Sequence, residues 1–417
     1  MIPEIAKEIL QKGYVCDHCL GRQFGQLLSG MTNKERGHAI RTALALEYSL
    51  KPFPADKSNF SGFNFRKEKS GTAPAQKPCY VCGGLFGSLE KWADEAVRKL
   101  KLLECRTFVV SSSLSRELVQ KEEGLWEEIG IEYCEPIKAE INRELGKLVA
   151  AKAGKKPDEK SPDVTIMLDL EKDSLSVHAS PLFIYGRYQK LARGLPQTKW
   201  ERYSESVEEI IAKPFIRESG GRAHSLHAAG REDIDARCLA WRPFVLEIGS
   251  PSRRSLPLKK LEKEIGRSKK VRVSGLRSSD RKEVVKVKGL MPDKTYRALV
   301  SFGKSVPENE LRKLKSISAI KQQTPARVAH RRADLTRSKR VKSISWKFLS
   351  RNRAEFTIRC QAGLYVKELI SGDNGRTRPS FSSVLGVPAK TEELDVVKIH
   401  LPYKGLGAST AGRRPLT

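Results

Sequence analysis

The stretch Gly230-Arg231-Glu232-Asp233-Ile234-Asp235-Ala236-Arg237 is led by glycine and dense in charge, and it lies just before the apolar run from Arg242 to Ile248. Its three carboxylates and two guanidiniums are costly to remove from water unless each acid has a cationic partner. The stretch therefore predicts a polar loop at a cleft, where a strand begins. A solvated turn with local ion pairs is the alternative that these residues alone leave open.

The composition is strongly basic, because Lys and Arg outnumber Asp and Glu by 78 to 49 and give a net charge of +29 over 417 residues. Such an excess attracts polyanions, and nucleic acid is the favoured partner. A membrane surface competes as a partner, but the sequence has no run of about 18 apolar residues that could span a bilayer. The first residues also lack the basic segment and apolar block of a signal peptide. We therefore expect a cytoplasmic protein with no membrane contact.

Four of the eight cysteines form two Cys-x-x-Cys pairs, Cys16 with Cys19 and Cys79 with Cys82. Each pair can offer two thiolates from a tight turn, and four thiolates satisfy tetrahedral zinc. Gly83 follows the second pair and lets the backbone fold back towards a metal. A redox pair is the alternative for either half alone, but two matched pairs favour structural Zn²⁺ held by these four residues.

Residues 88–200 alternate between helical and strand patterns, which is typical of a small α/β domain. At its end, Tyr185 and Arg187 belong to a segment in which aromatic rings alternate with cations. This pattern suits a surface that contacts phosphates and stacks on exposed bases of RNA. The alternative is that Tyr185 packs in the core while the cations are solvated.

Two later segments predict a basic wall. Residues 251–290 hold 14 Lys or Arg against four acids, and the excess continues into strands expected at 271–273 and 284–288. Residues 327–342 hold seven cations against Asp334 alone. Either segment could bind a phosphate backbone.

Several separate blocks resemble the sequences of one enzyme family. Gly-Arg-Glu-Asp at 230–233 is similar to the catalytic loop of pseudouridine synthases, Gly-Arg-x-Asp, and residues 294–297 and 363–369 resemble the second and third motifs of these enzymes. Residues 322–334, and the segments 138–147, 184–190 and 193–200, resemble the archaeal tRNA pseudouridine synthase of the 54/55 (T-arm) family. That family joins a zinc module and a THUMP-type RNA-binding domain to a C-terminal catalytic domain.

The resemblance implies roles for individual residues. Asp233 is the catalytic aspartate, Tyr296 stacks on the target uracil, and Lys367 is the basic residue that pairs with the aspartate. Substrate contacts are expected from Arg231, Tyr365, Leu385, Arg327, Arg331, Arg332, Tyr185 and Arg187. The residues alone leave three alternatives open: Asp235 as the catalytic acid, Tyr296 as a core residue, and Lys367 as an ordinary exposed lysine.

The expected fold class is α+β, with a zinc-binding module at 1–87, a THUMP-type α/β domain at 88–200 and a pseudouridine synthase domain at 201–417 that has a mainly antiparallel sheet. The expected function is isomerisation of uridine to pseudouridine at positions 54 and 55 in the T arm of tRNA. The reaction needs no catalytic or nucleotide cofactor, and we expect a monomer. A zinc-containing RNA-binding or chaperone protein without enzymatic activity is the rival interpretation, but it leaves the loop at 230 without a purpose.

Overall fold

The structure is a computed structural model that describes residues 1–65 and 77–401. The chain divides into two compact units. The first comprises Met1–Ser180 and Ser252–Arg254, and the second comprises Pro181–Pro251 and Ser255–Thr417.

The described part of the first unit contains six helices and a four-stranded sheet. The helices are α1 (Ile2–Gln11), α2 (Asp17–Gly21), α3 (Asn33–Leu50), α4 (Leu85–Leu100), α5 (Arg116–Ile129) and α6 (Ile137–Ala153). The strands are β1 (Thr107–Ser113), β2 (Lys156–Pro157), β3 (Val164–Asp169) and β4 (Ser174–Ala179). The strand order is β2-β1-β3-β4, with β1 parallel to both neighbours and β4 antiparallel to β3.

One hydrophobic core runs through the first unit. Cys19, Cys79 and Cys82 are buried in the same apolar cluster as Phe108 of β1 and Ile166 of β3. Residues 1–87 and the α/β part that follows therefore form one compact unit, although their sequence patterns suggested two.

The second unit is built on a larger sheet. Its helices are α7 (Val207–Ser219), α8 (Leu258–Gly266), α9 (Arg281–Gly289), α10 (Val366–Ser371) and α11 (Phe381–Leu385). Its strands are β5 (Leu182–Lys190), β6 (Ala223–Ala228), β7 (Arg237–Gly249), β8 (Val271–Ser279), β9 (Asp293–Phe302), β10 (Ala319–Gln323), β11 (Thr336–Ser350), β12 (Arg353–Cys360), β13 (Thr377–Arg378) and β14 (Ala389–His400).

The ten strands form one mixed sheet in the order β13-β10-β11-β12-β9-β14-β7-β5-β8, and β6 also pairs with β7. All these pairs are antiparallel except β14 with β7, which are parallel. The expected α+β class with a mainly antiparallel sheet is therefore confirmed.

Strand β7 connects the two halves of this sheet. Its first residues, Arg237 and Cys238, pair with Asp395 and Val396 of β14, whereas its later residues pair with β5 and β6. Helices α7 and α8 cover the β5–β7–β8 half, and α10 and α11 cover the half that contains β9 and β12. The loop that precedes β7 consequently ends where the two halves meet.

Two expectations about elements differ from the structure. Residues 284–288 lie in helix α9, because Asp280 caps a helix start and Val284 and Val287 share its buried face; the alternating valines had suggested a strand. Residues 182–190, expected at the end of the domain at 88–200, form β5 of the larger sheet and belong to the second unit. Their many inter-strand hydrogen bonds to β7 and β8 explain this placement.

Candidate active site

The loop at 229–236 makes a sharp turn between β6 and β7. Gly230 has a φ of +83°, and its backbone N–H donates to the carbonyl of Ala228 at 2.9 Å. A β-carbon at this position would lie 3.0 Å from Nζ of Lys294 and 3.2 Å from Nη1 of Arg242. Glycine is therefore favoured by the left-handed backbone, and a side chain here would also require the ends of Lys294 and Arg242 to shift slightly.

A buried ion pair between Glu232 and Arg242 stabilises the loop. Glu232 and Arg242 lie 2.9 Å apart, and each side chain is only 1% exposed. Tyr188 donates its hydroxyl to Glu232 at 3.2 Å, and Arg242 donates to the carbonyl of Ala229 at 2.7 Å. Glu232 is thus occupied by structural contacts and is not available to a substrate.

A buried lysine shapes the backbone beside the predicted catalytic aspartate. Nζ of Lys190 donates to the carbonyl oxygens of Leu195 at 2.7 Å, Asp233 at 3.0 Å and Ile234 at 3.0 Å. Burial lowers the pKa of Lys190, and neighbouring carboxylates oppose this effect. The lysine therefore fixes the turn from which the side chain of Asp233 projects.

Asp233 is held by two cations and remains partly accessible. Its Oδ1 accepts a hydrogen bond from Nη1 of Arg327 at 2.9 Å, and its Oδ2 lies 3.5 Å from Nζ of Lys367. The side chain is 30% exposed, which leaves room for a reacting group.

Lys367 lies closer to Asp235, the alternative catalytic acid, than to Asp233. Its Nζ donates to both carboxylate oxygens of Asp235 at 2.7 Å. Burial raises the pKa of Asp235, but the hydrogen bonds and charge of Lys367 lower it below its ordinary value overall. The predicted pairing of Lys367 with Asp233 is therefore only the longer of two contacts, and Arg327 is the hydrogen-bonded partner of Asp233.

Tyr296 lies on strand β9, between Ile358 of β12 and Val396 of β14. Burial raises its pKa, and the charge of Asp233 contributes in the same direction. Lys294 lies two residues earlier, and its pKa is lowered to about 8 by burial and by the charge of Arg242. The structure thus brings Asp233 and Lys367 together, whereas Tyr296 is partly buried against the neighbouring core and is linked to Asp233 only through the charge of that carboxylate.

Four other predicted substrate residues have described surroundings in the second unit. Arg332 donates to the hydroxyl of Tyr365 at 3.3 Å, and the guanidinium of Arg327 lies 6.0 Å from the Tyr365 ring centre. Leu385 is partly buried against the core of this half. Arg231 is exposed and donates to Thr198 at 2.6 Å.

The remaining predicted contacts fall in different places. The side chain of Arg331 lies outside the described part of the chain. Tyr185 is 3% exposed, and the guanidinium of Arg277 lies 4.2 Å from its ring centre. It therefore cannot stack on an RNA base, so this prediction was wrong. Arg187 is half-buried on the same strand.

Sequence reasoning missed three residues of the site besides Lys190. Gln322 is buried and bonds both backbone groups of Tyr365, at 2.8 Å and 3.0 Å. Arg242 supports the loop, and the buried Glu368 binds Arg327 at 2.6 Å. Each of these residues contacts a partner that is distant in sequence. Arg242 and Glu368 are charged residues in apolar stretches, and this was the only sequence signal that could have indicated buried ion pairs.

The four predicted zinc ligands lie together in the first unit. Their sulfur atoms all lie within 4.8 Å of one another, and those of Cys16 and Cys82 are 3.8 Å apart. Four sulfurs placed about 2.3 Å from a tetrahedral zinc would be separated by about 3.8 Å. The backbone N–H of Cys16 also donates to the sulfur of Cys79 at 3.3 Å. The chemistry and spacing of this donor set therefore fit a zinc ion.

Comparison with known proteins identifies the family. The family model described as "Pus10, C-terminal" matches residues 183–400, and the one described as "Pus10 THUMP domain, archaeal" matches residues 92–169. The "tRNA pseudouridine synthase Pus10" of Methanothrix thermoacetophila is 42% identical over 94% of this chain and 93% of its own. Its counterpart in Pyrococcus furiosus is 38% identical over 96% and 98%, respectively. The chain therefore belongs to the Pus10 family of tRNA pseudouridine synthases, which are isomerases.

Two further findings are weaker or negative. A chain of the "Crystal Structure of a Cbf5-Nop10-Gar1 Complex" is similar with a TM-score of 0.30 and 19% identity, covering 50% of this chain and 47% of that one. This likeness is too low to carry any argument.

Among the described helices, none combines the length and apolar character needed to cross a bilayer.

Proposed function

We propose that this enzyme isomerises uridines 54 and 55 in the T arm of tRNA to pseudouridine, with Asp233 as the group that acts on the ribose. The curated relatives are named as tRNA pseudouridine synthases, which supports tRNA as the substrate. The T-arm positions are those implied by the resemblance of the sequence blocks.

The observation that carries the proposal is the environment of Asp233. Its carboxylate is 30% exposed and has Arg327 at 2.9 Å and Lys367 at 3.5 Å. Two cations compensate its charge, while its exposure allows contact with a sugar. Such a carboxylate can attack C1′ as a nucleophile or take the proton from C2′.

The reaction exchanges one bond to the sugar for another. The N1–C1′ bond breaks, the uracil turns within the site, and C5 bonds to C1′; C5 then loses its proton to solvent while N1 takes up a proton from solvent. No electrons are gained or lost overall, so we propose that the chain uses no catalytic cofactor and no nucleotide.

The target nucleotide must leave its stack before it can reach Asp233, at a cost of a few kcal/mol. Stacking on Tyr296 and apolar contact with Leu385 would offset part of this cost, and Tyr365 is placed to contact the same nucleotide. Arg231, Arg331 and Arg332 would bind phosphates around it. Arg187 is a further candidate for a phosphate contact.

The cysteine cluster has a separate role in this proposal. We propose that Cys16, Cys19, Cys79 and Cys82 hold one structural Zn²⁺, which supplies folding energy and no chemistry. We also propose, as expected from the sequence, that the enzyme acts as a monomer in the cytoplasm.

The test uses unmodified tRNA transcripts that carry uridine at position 54 only, at position 55 only, or at both. Wild type, Asp233→Asn and the matched control Asp235→Asn are incubated with each transcript, and pseudouridine is mapped. We expect modification of both positions by wild type and none by Asp233→Asn. Activity retained in Asp233→Asn would exclude Asp233 as the catalytic group. Activity lost only in Asp235→Asn would assign the role to Asp235.

A further inference from the structure

Arg327 connects the catalytic carboxylate to a buried acid. Its Nη1 donates to Oδ1 of Asp233 at 2.9 Å, and its Nε donates to Oε1 of Glu368 at 2.6 Å. The guanidinium fork therefore spans the two acids with separate nitrogens. Lysine has no such fixed fork and could not hold both acids in the same geometry.

Glu368 cannot serve as a substrate contact. It is 4% exposed, and its Oε2 is buried with no hydrogen-bond partner among the described residues. A buried carboxylate is costly unless its charge is compensated, and Arg327 is the ion-pair partner that the structure gives it. The acid therefore anchors Arg327 strongly.

The sequence suggested another role for Arg327, as one of seven cations that would bind RNA phosphates. The hydrogen bonds of Arg327 point to the interior of the site instead. Although burial lowers the pKa of Arg327, its hydrogen bond with Glu368 and the charge of Asp233 raise it above the ordinary value overall. The guanidinium therefore stays charged while it is held between two acids.

We propose that Arg327 is a positioning residue for Asp233, and that Glu368 fixes its guanidinium in place. This inference rests on the proposed function, in which Asp233 acts on the ribose. Glu368 orients Arg327, and Arg327 orients one oxygen of Asp233 so that the other oxygen faces the sugar. Such pre-orientation lowers the barrier of the chemical step without adding affinity for tRNA.

The experiment separates the chemical step from binding. Single-turnover rate constants at saturating enzyme and dissociation constants for tRNA are measured for Arg327→Gln, Arg327→Lys, Glu368→Gln and the Arg327→Gln/Glu368→Gln double variant. Arg353 and Glu392 form an exposed ion pair elsewhere in the same unit, so Arg353→Gln and Glu392→Gln are matched controls. Asp233→Asn is included in the same series.

We expect Arg327→Gln and Glu368→Gln each to lower the rate constant by about tenfold to a hundredfold, the effect of losing one charged hydrogen bond. Glu368→Gln should leave tRNA affinity near that of wild type, and the double variant should be no slower than Arg327→Gln. Arg327→Lys should recover part of the rate.

Different failures have different meanings. A wild-type rate constant at saturation with weaker tRNA binding by Arg327→Gln would make Arg327 a phosphate contact and overturn the inference. Additive losses in the double variant would overturn the part assigned to Glu368. Activity retained by Asp233→Asn would instead overturn the proposed function. If Arg327→Gln unfolds because it leaves the buried Glu368 without its charged partner, the Arg327→Gln/Glu368→Gln double variant, which removes both charges, still decides the role of Arg327.

Discussion

Substitution of Glu232 by glutamine tests the buried ion pair beneath the catalytic loop. The change keeps the shape of the side chain but leaves the guanidinium of Arg242, 1% exposed, without its charged partner at 2.9 Å. Removing one member of a fully buried pair costs about 3–5 kcal/mol, because the other charge stays in an apolar environment. We expect the free energy of unfolding of the second unit to fall by about this amount.

Hydrogen exchange with mass spectrometry resolves this change by segment. A loss of about 3–5 kcal/mol should speed exchange of the slowest amides of β5 and β7 by about a hundredfold to a few thousandfold. Glu264→Gln is the matched control, because its pair with Arg217 is exposed, with side chains 28% and 55% accessible. Exposed pairs contribute about 0–1 kcal/mol. If Glu232→Gln and Glu264→Gln changed the exchange rates equally and only slightly, burial would not make the Glu232–Arg242 pair more important for stability than an exposed pair.

Three further predictions concern other parts of the chain. Lys190→Met should lower the single-turnover rate constant with little change in tRNA affinity, because the lysine is buried and its partners among the described residues are all backbone carbonyls; weaker binding at an unchanged rate would contradict this. The pKa of Lys294 is lowered by burial to about 8 from 10.5, so the folded state binds fewer protons than the unfolded state between these values. The stability of wild type relative to Lys294→Met, measured by urea denaturation, should therefore rise with pH across that window, and a constant difference would disprove it. Cys79→Ser should lose bound zinc and expose the first unit to protease, whereas Cys105→Ser, outside the cluster, should retain one zinc per chain; equal zinc content in both variants would exclude the cluster as the metal site.

Local patterns predicted several features correctly. The glycine of the loop at 230 occupies a left-handed turn beside two cations, and the two cysteine pairs lie within one cluster. The mainly antiparallel sheet could be predicted as well, since alternation along a strand and tight turns are properties of a few neighbouring residues.

The errors arose where distant parts of the chain decide the environment. Strand β5 lies between β7 and β8 with helices packed over both faces, so Tyr185 packs with Val284 of α9 while Tyr188 packs with Phe215 of α7. Its alternating rings and cations consequently do not form an RNA-binding surface. Similarly, the pairing of Arg327 with Asp233 joins residues 94 positions apart, and no local spacing encodes it.

The most direct test of the role of Asp233 is release of tritium from tRNA labelled at C5 of uridine, because C5 must lose its hydrogen when it bonds to C1′. Wild type, Asp233→Asn and Asp235→Asn are compared at saturating tRNA. We expect release by wild type and Asp235→Asn and no release by Asp233→Asn. Wild-type release by Asp233→Asn would contradict this expectation.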